Sequence, residues 1–593
     1  MEPTRIFDLL EYYPAHFGDK ADAFAGKKNG EWIKWTMAEF TRRAYAIASG
    51  LVNEGIQRGE RVAILAGNSP EWNVIDFAVQ LSGAVLVPIY PTISEHDLQF
   101  VLGDCEAKAV FVSNPQIYEK TLKVESALPA APKIICMYEQ AGARQLKELE
   151  ASGEANPQKD RIETVKKETK PDDLLTILYT SGTTGTPKGV MLSHNNLVSN
   201  FTALCDLPPI DHTGRVLSFL PLNHIYERML VYLYMYRGPS IYYGESIETI
   251  AENIREVKPH MFTCVPHLLQ KVYNRITAKG AELTGFKRKL FFWAVALGEK
   301  YEVRPGGNSL WYRIKLAIAS KLVFSKWREA LGGNVRGMVS GGAALEPGLA
   351  RIFWAAGMPV LEGYGLTETS PVISVNNFEP DSVCFGTVGP LIKGVQVKFA
   401  EDGEILVKGP NVMLGYYKRP DATAEVIDSE GWFHTGDIGK LVEGRFLKIT
   451  DRKKEIFKTS GGKYIAPQLI ENMLKTSRFV EQSMVIGENQ KFPAAIIVPS
   501  IVFLKDWAKY KGIDLPETAE EIVRNPVVIK RIESAVEKIN ANLAQYEKIK
   551  KLILLPKEWT ITSGELTPKL SLKRKMILAN NEEAIKKLYA DAG

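Results

Sequence analysis

Short apolar runs alternate with amphipathic stretches through the first 450 residues. RVAILA (61–66), AVLVP (84–88), KAVFV (108–112) and LLTIL (174–178) are brief and rich in branched side chains, which predicts buried strands. Between the first two, PEWNVIDFAVQLS (70–82) repeats its apolar positions at three- and four-residue intervals, which predicts a helix. Strands alternating with helices predict β-α-β units and parallel sheets covered by helices, an α/β class. Residues 139–171 are polar and rich in both charges, and are expected to form an exposed excursion. Beyond residue 400, EILVK (404–408) and GRFLKIT (444–450) predict further strands with turns between them. A charged DRKKE (451–455) precedes a predicted helix over 465–475, strands over 482–486 and 494–498, and a helix over 522–544. No internal repeat is visible. Residues 1–450 and 451–593 are therefore expected to be separate domains, the second of α+β type.

A chain of 593 residues exceeds what one hydrophobic core serves, in keeping with that division. A net charge of +5 is too small at this size to argue for a nucleic-acid partner. Five cysteines without a C-x-x-C argue against a disulfide framework or a zinc site and for a reducing, cytoplasmic setting. The N-terminus lacks the apolar core of a signal peptide. The most apolar long region, 216–243, is broken by His224, Glu227, Arg228 and Arg237, so no spanning helix is expected.

Chemistry concentrates first in YTSGTTGTPKGVMLSH (179–194). Gly182, Gly185 and Gly189 let main-chain N–H groups approach a ligand, and successive N–H groups make an anion-binding nest. Thr180, Ser181, Thr183, Thr184 and Thr186 add hydroxyls, and Lys188 adds a point charge suited to phosphate. A polyphosphate is the expected guest. The stretch is not a Walker A loop, because Pro187 follows Gly182 by five residues and Gly189 follows Lys188. The G-x-G-x-x-G dinucleotide pattern fails at Glu368, and neither G-x-S-x-G nor H-E-x-x-H occurs.

Four more stretches carry ionisable, aromatic and hydroxyl groups on flexible or turn-rich backbone: PLNHIYER (221–228), EGYGLTET (362–369), GWFHTGD (431–437), and Asp451-Arg452 ahead of KTSGGK (458–463). In this order, and over residues 35–575, the set resembles the adenylate-forming superfamily of acyl-CoA synthetases, luciferases and peptide-synthetase adenylation domains. The pattern L-P-x-x-H-x-x-E-R with W-R-x-x-L-G-G-x-V-R and S-G-G-A-A-L (327–345) is similar to the long-chain fatty acyl-CoA synthetase branch.

The resemblance implies a large N-terminal domain of helix-covered sheets with a β-barrel-like subdomain, and a small mobile C-terminal domain that swings at Asp451. It implies that fatty acid and ATP give acyl-AMP and pyrophosphate, and that the CoA thiol then gives acyl-CoA and AMP. Thr180, Ser181, Gly182, Thr183, Thr184, Gly185 and Lys188 would hold the β- and γ-phosphates, Thr367 the α-phosphate, and Glu368 a bridging Mg²⁺. Tyr364 would stack on adenine beside Gly341, Gly342 and Ala343. Asp437, helped by Arg452, would accept the ribose hydroxyls. His224 would lie near the fatty acid carboxylate, with Glu227 and Arg228 expected to pair with each other. Relatives tend to read T-P-T-x-K-x-K-R near the C-terminus, where a lysine reaches the substrate carboxylate and α-phosphate. Here TPKLSLKR (567–574) puts Ser571 at that position, so the role falls to Lys569 first, or to Lys573.

Ten basic residues against two acids over 287–328, interleaved with aromatics, suit an anionic membrane surface. With the cytoplasmic setting expected from the cysteines, the protein is expected at the inner face of the membrane. Two alternatives share the same motifs: an acyl-AMP ligase loading a carrier protein, and a non-catalytic nucleotide- or acyl-binding homologue.

Overall fold

The computed structural model describes residues 2–180, 187–246, 249–560, 563–567 and 572–590. The runs predicted as strands form them: Arg61–Leu65, Val85–Pro88, Ala109–Val112 and Leu174–Thr180 lie in one eight-stranded sheet, their order following the β-α-β alternation. The sheet is covered on both faces: Val62, Ala63, Ile64 and Leu65 are all buried, and the strand pairs in parallel with Val85–Pro88 on one side and Ala109–Val112 on the other. The sheet's other end turns antiparallel, where Leu174–Thr180 pairs with Lys188–Ser193 as a hairpin. A second eight-stranded sheet carries Arg215–Ser218, Met261–Cys264, Gly337–Ser340 and Val360–Gly365 as successive parallel neighbours.

Helix Pro70–Leu81 is packed between these sheets. Ser69 caps it by accepting the Trp72 N–H, Pro70 occupies the first turn, and every residue of the helix except Glu71 is buried. Helix Ile225–Arg237 is buried almost throughout and ends at Gly238, whose φ of 81° suits a left-handed cap.

The polar stretch 139–171 is not an exposed excursion. It contains helices Leu146–Ala155 and Lys159–Glu168, and Leu149 and Ile162 are buried in the main core. Leu146–Ala155 lies so close to Met37–Asn53 that a Cβ on Gly153 would collide with the Ala46 carbonyl oxygen. Polar composition hides this contact because two small residues, Gly50 and Gly153, make it.

Strands Gln396–Phe399, Glu404–Lys408, Phe433–Val442 and Phe446–Arg452 form a four-stranded antiparallel sheet. It continues by backbone bonds between Leu447 and Val388–Gly389, and by the Val375 N–H donating to the Pro390 carbonyl, so it curls toward strand Val372–Val375. This is the part expected to be barrel-like. Beyond it, helix Pro467–Lys475 and strands Val480–Ile486, Ala494–Pro499 and Lys551–Leu554 surround cores of their own. Among the described residues no helix is long and apolar enough to cross a membrane.

Candidate active site

The hairpin Leu174–Thr180/Lys188–Ser193 brings Thr180 and Lys188 opposite each other at the end where the chain passes from one strand to the other. Ser181, Gly182, Thr183, Thr184, Gly185 and Thr186 lie outside the described residues. Lys188 places its ammonium 5.0 Å from the centre of the Tyr416 ring. Tyr416 sits on the short strand Gly415–Tyr416, which pairs with the hairpin. Its hydroxyl donates to Glu368 Oε1 at 3.0 Å. The Tyr416 pKa rises because the phenol is buried and faces that carboxylate. Lys188, Tyr416 and Glu368 therefore form one contiguous group. Tyr416 does not stand out in the sequence, where its only available signal is the apolar GYY beside the hairpin's partner strand.

Glu368 and Thr367 lie on a single turn, Thr367–Thr369, that follows strand Val360–Gly365. The Glu368 carbonyl accepts the Met413 N–H at 2.9 Å, which fixes the turn against the neighbouring loop. Thr367 is buried. Tyr364, at the end of the strand, donates its hydroxyl to Asp437 Oδ2 at 2.7 Å, and Arg452 Nε donates to Asp437 Oδ1 at 3.0 Å. Burial pushes the Asp437 pKa upward, and the Arg452 guanidinium opposes that rise. Both oxygens of Asp437 keep lone pairs beyond these two bonds, so it can accept more donors. Arg452 makes its ion pair with Asp437. Glu455 pairs instead with Arg574 at 3.0 Å.

Gly341, Gly342 and Ala343 follow strand Gly337–Ser340, and the last two are exposed. Gly342 has φ of 82°, a conformation that favours glycine. The loop is pinned by Glu362, whose Oε1 accepts the Leu345 N–H at 2.8 Å. Glu362 is buried, and desolvation pushes its pKa up to about 8. The ring of Tyr226 lies against Gly341, where an added Cβ would sit 3.3 Å from it.

That contact brings the His224 turn to the same loop. His224 is the N-cap of helix Ile225–Arg237, half-buried, with Nδ1 accepting the Tyr226 N–H at 3.0 Å. The neutral ring then carries its proton on Nε2. Glu227 and Arg228 do not pair with each other. Successive helical residues point about 100° apart and cannot face one another. Glu227 instead accepts the Thr263 hydroxyl at 2.6 Å, and burial raises its pKa to about 7. Arg228 pairs with Asp76 on helix Pro70–Leu81 at 2.6 Å, both side chains fully buried.

Asp451 is buried at the end of its strand. Its Oδ1 accepts the Arg452 N–H at 2.6 Å and its Oδ2 meets no hydrogen-bond partner among the described residues. Burial lifts its pKa to about 7. Lys569 and Ser571 lie outside the described residues, and Lys573 is exposed.

Residues 11–417 match the model of the AMP-binding enzyme family, and residues 454–593 match the C-terminal domain of AMP-binding enzymes. The chain belongs to the AMP-binding enzyme family. Within this family it is similar to long-chain-fatty-acid–CoA ligases. It is 34% identical to the ligase FadD15 of Mycobacterium bovis over 95% of this chain and 93% of that protein. It is 35% identical to long-chain-fatty-acid–CoA ligase 1 of Homo sapiens over 94% of this chain and 82% of that protein. Among solved structures, the adenylation domain of a carboxylic acid reductase from Segniliparus rugosus, in complex with AMP, superposes with a TM-score of 0.76. It covers 99% of this chain and 94% of its own at 20% identity, a likeness of fold. The chain is accordingly an AMP-forming acid–thiol ligase of the long-chain-fatty-acid–CoA ligase group.

Proposed function

We propose that this AMP-binding enzyme joins a long-chain fatty acid to CoA through an acyl-adenylate, with the groups described above in named roles. Attack of a carboxylate on a phosphorus ringed by negative oxygens needs alignment and charge neutralisation more than covalent help. Thr180 and Lys188 hold the triphosphate, together with Ser181, Gly182, Thr183, Thr184 and Gly185. Asp437 accepts the ribose hydroxyls while Tyr364 and Arg452 keep it oriented. Charge-assisted bonds of this kind contribute about 1.5–3 kcal/mol each. Gly341, Gly342 and Ala343 leave room beside the adenine. Thr367 faces the α-phosphate, and His224, through Nε2–H, orients the fatty acid carboxylate.

Mg²⁺ fits this donor set as an ion carried in with the nucleotide. Among the described residues no group of three or more His, Cys, Asp or Glu side chains could hold a metal by itself. One carboxylate, Glu368, would share the ion with phosphate oxygens and water, as Mg²⁺ prefers. Its chemistry there is to neutralise phosphate charge. Lys569 is proposed for the lysine role near the C-terminus. Rotation of residues 451–593 about Asp451 would let one pocket exclude water during adenylation and then admit the thiol.

The observation that carries this proposal is the pairing of two groups at adjacent strand ends: Lys188–Tyr416–Glu368 and Tyr364–Asp437–Arg452. Purified protein given palmitate, ATP, Mg²⁺ and CoA should release AMP and pyrophosphate in equal amounts with palmitoyl-CoA. Release of ADP and phosphate would overturn it, and transfer to a carrier protein but not to CoA would favour the carrier-loading alternative.

A surface at 283–326 supports delivery of the acid from a membrane. Helix Leu310–Ala319 and the turn after it expose Leu310, Trp311, Ile314, Ile318 and Leu322 on one side, with Trp311 73% exposed. Phe286 is 77% exposed on the neighbouring helix Gly285–Gly298. Lys287, Lys289, Arg313, Lys315, Lys321 and Lys326 are exposed around them. Other members of the basic and aromatic set are engaged internally: Arg328 donates to Ala356, Arg304 pairs with Glu443, and Phe291, Phe324 and Trp327 are buried. The remaining apolar and basic groups suit the interface of an anionic bilayer.

A further inference from the structure

Four polar or aromatic residues at intervals of four run along and just ahead of helix Pro70–Leu81, and each meets the segment that carries His224 or the ion pair behind it. Asn68 donates from Nδ2 to the Leu220 carbonyl at 2.7 Å and accepts the Leu222 N–H at 2.9 Å. The Trp72 indole N–H donates to Asn223 Oδ1 at 3.0 Å, and Asn223 Nδ2 donates back to the Ala66 carbonyl at 2.9 Å. Asp76 receives Arg228 through Nε at 3.0 Å and Nη2 at 2.6 Å. Gln80 donates to Asp76 Oδ1 at 3.0 Å. A four-residue interval keeps the helical members of the set on one face. Asn68, Trp72 and Asp76 therefore meet residues 220–228 in sequence, like rungs, and Gln80 braces Asp76 from behind.

The ladder does not end at Arg228. Its Nη1 donates to Thr176 Oγ1 at 2.8 Å, and Thr176 donates to the Leu86 carbonyl at 2.7 Å. Thr176 lies within Leu174–Thr180, the strand that ends at Thr180 opposite Lys188. One buried network thus joins the strand feeding the phosphate site to the turn bearing His224. Trp72, Asp76, Thr176 and Arg228 are all fully buried. A buried ion pair rarely adds stability over a well-packed apolar set, whereas its geometry is demanding. What such a pair does well is fix one arrangement of the elements it joins.

We infer that Asn68, Trp72, Asp76 and Arg228, coupled through Thr176, are positioning residues that hold the His224 turn in register with the end of the hairpin where Thr180 faces Lys188. This rests on the roles proposed above for His224, Thr180 and Lys188. Both substrates of the first half-reaction, the acid and ATP, are placed by the elements the ladder joins. The thioester half-reaction starts from an adenylate already formed. The ladder should therefore govern formation of acyl-AMP and leave its transfer to CoA alone.

The test uses full-length Trp72→Phe, Thr176→Val and Thr176→Ser proteins. The first change removes the N–H that holds Asn223, the second removes the hydroxyl link to the strand, and the third keeps that hydroxyl. Palmitate-dependent exchange of pyrophosphate into ATP reports the first half-reaction. Conversion of supplied palmitoyl-AMP with CoA reports the second. The inference predicts that Trp72→Phe and Thr176→Val lower exchange kcat by about tenfold or more, since small misplacements of reacting groups are costly. Thioester formation should stay within about twofold, and Thr176→Ser should restore exchange. Equal loss of both half-reactions, or no loss in a variant with unchanged circular dichroism and melting, would overturn the inference. Should Thr176→Val fail to fold, the Trp72→Phe comparison stands by itself. Absence of exchange in the unsubstituted protein would instead overturn the proposed reaction, so the two failures are distinguishable.

Discussion

At Tyr416 a single hydroxyl restrains the carboxylate of Glu368. Replacing Tyr416 by Phe keeps the ring beside Lys188 and removes only that restraint. The expected result is a fall of about tenfold in adenylation kcat/KM with melting temperature nearly unchanged, checked by pyrophosphate exchange and calorimetry. Glu362 gives a test of a different kind. Burial places its pKa at about 8, against 4.5 for an ordinary glutamate. The folded protein thus holds a proton that the unfolded chain releases, and the stability this supplies is lost as pH rises toward and through 8. Glu362→Gln keeps an acceptor for the Leu345 N–H and has no proton to lose. Relative to the unsubstituted protein, it should match in stability at pH 4 and gain on the order of a few kcal/mol by pH 9, measured by denaturant unfolding. A parallel pH dependence in the two proteins would contradict the assignment. Neither residue's role is visible in the sequence, because each depends on a partner elsewhere along the chain: Tyr416 on Glu368, Glu362 on Leu345.

Elements built from continuous apolar runs are legible in the sequence. The strands at 61–65, 85–88 and 109–112 and the helix Pro70–Leu81 fall where the apolar runs and their spacing put them. Helices joined through glycine are not legible, as Leu146–Ala155 shows. Adjacency along the chain misleads as well: Glu227 and Arg228 are neighbours in sequence but point to different elements, Thr263 and Asp76. Strand Val360–Gly365 illustrates how close packing aims a site. Its register with Val372–Val375 breaks between Tyr364 and Gly365. A Cβ at Gly365 would collide with the Pro371 carbonyl oxygen. Gly365→Ala should therefore cost about 1–3 kcal/mol in unfolding free energy and disturb Tyr364 directly upstream. Unchanged stability in that variant would show that the strand ends can relax apart.

For the whole molecule, the order of motifs carries the family, and the C-terminal run TPKLSLKR marks where the pattern departs. The exposed apolar face at 310–322 predicts how the enzyme meets its substrate. Full-length protein should co-sediment with vesicles containing phosphatidylglycerol, and weakly with phosphatidylcholine alone. Replacing Leu310, Trp311 and Ile314 together by Ser should weaken binding about tenfold or more while leaving turnover of a soluble shorter acid intact. Binding that ignores both lipid charge and these substitutions would remove the membrane proposal without touching the chemistry. The chemistry itself is tested most directly by isotope. Palmitate labelled with ¹⁸O in both carboxylate oxygens should, in a turnover with ATP, Mg²⁺ and CoA, deliver one labelled oxygen to AMP and none to pyrophosphate. Unlabelled AMP, or label in inorganic phosphate, would contradict an acyl-adenylate formed at this site.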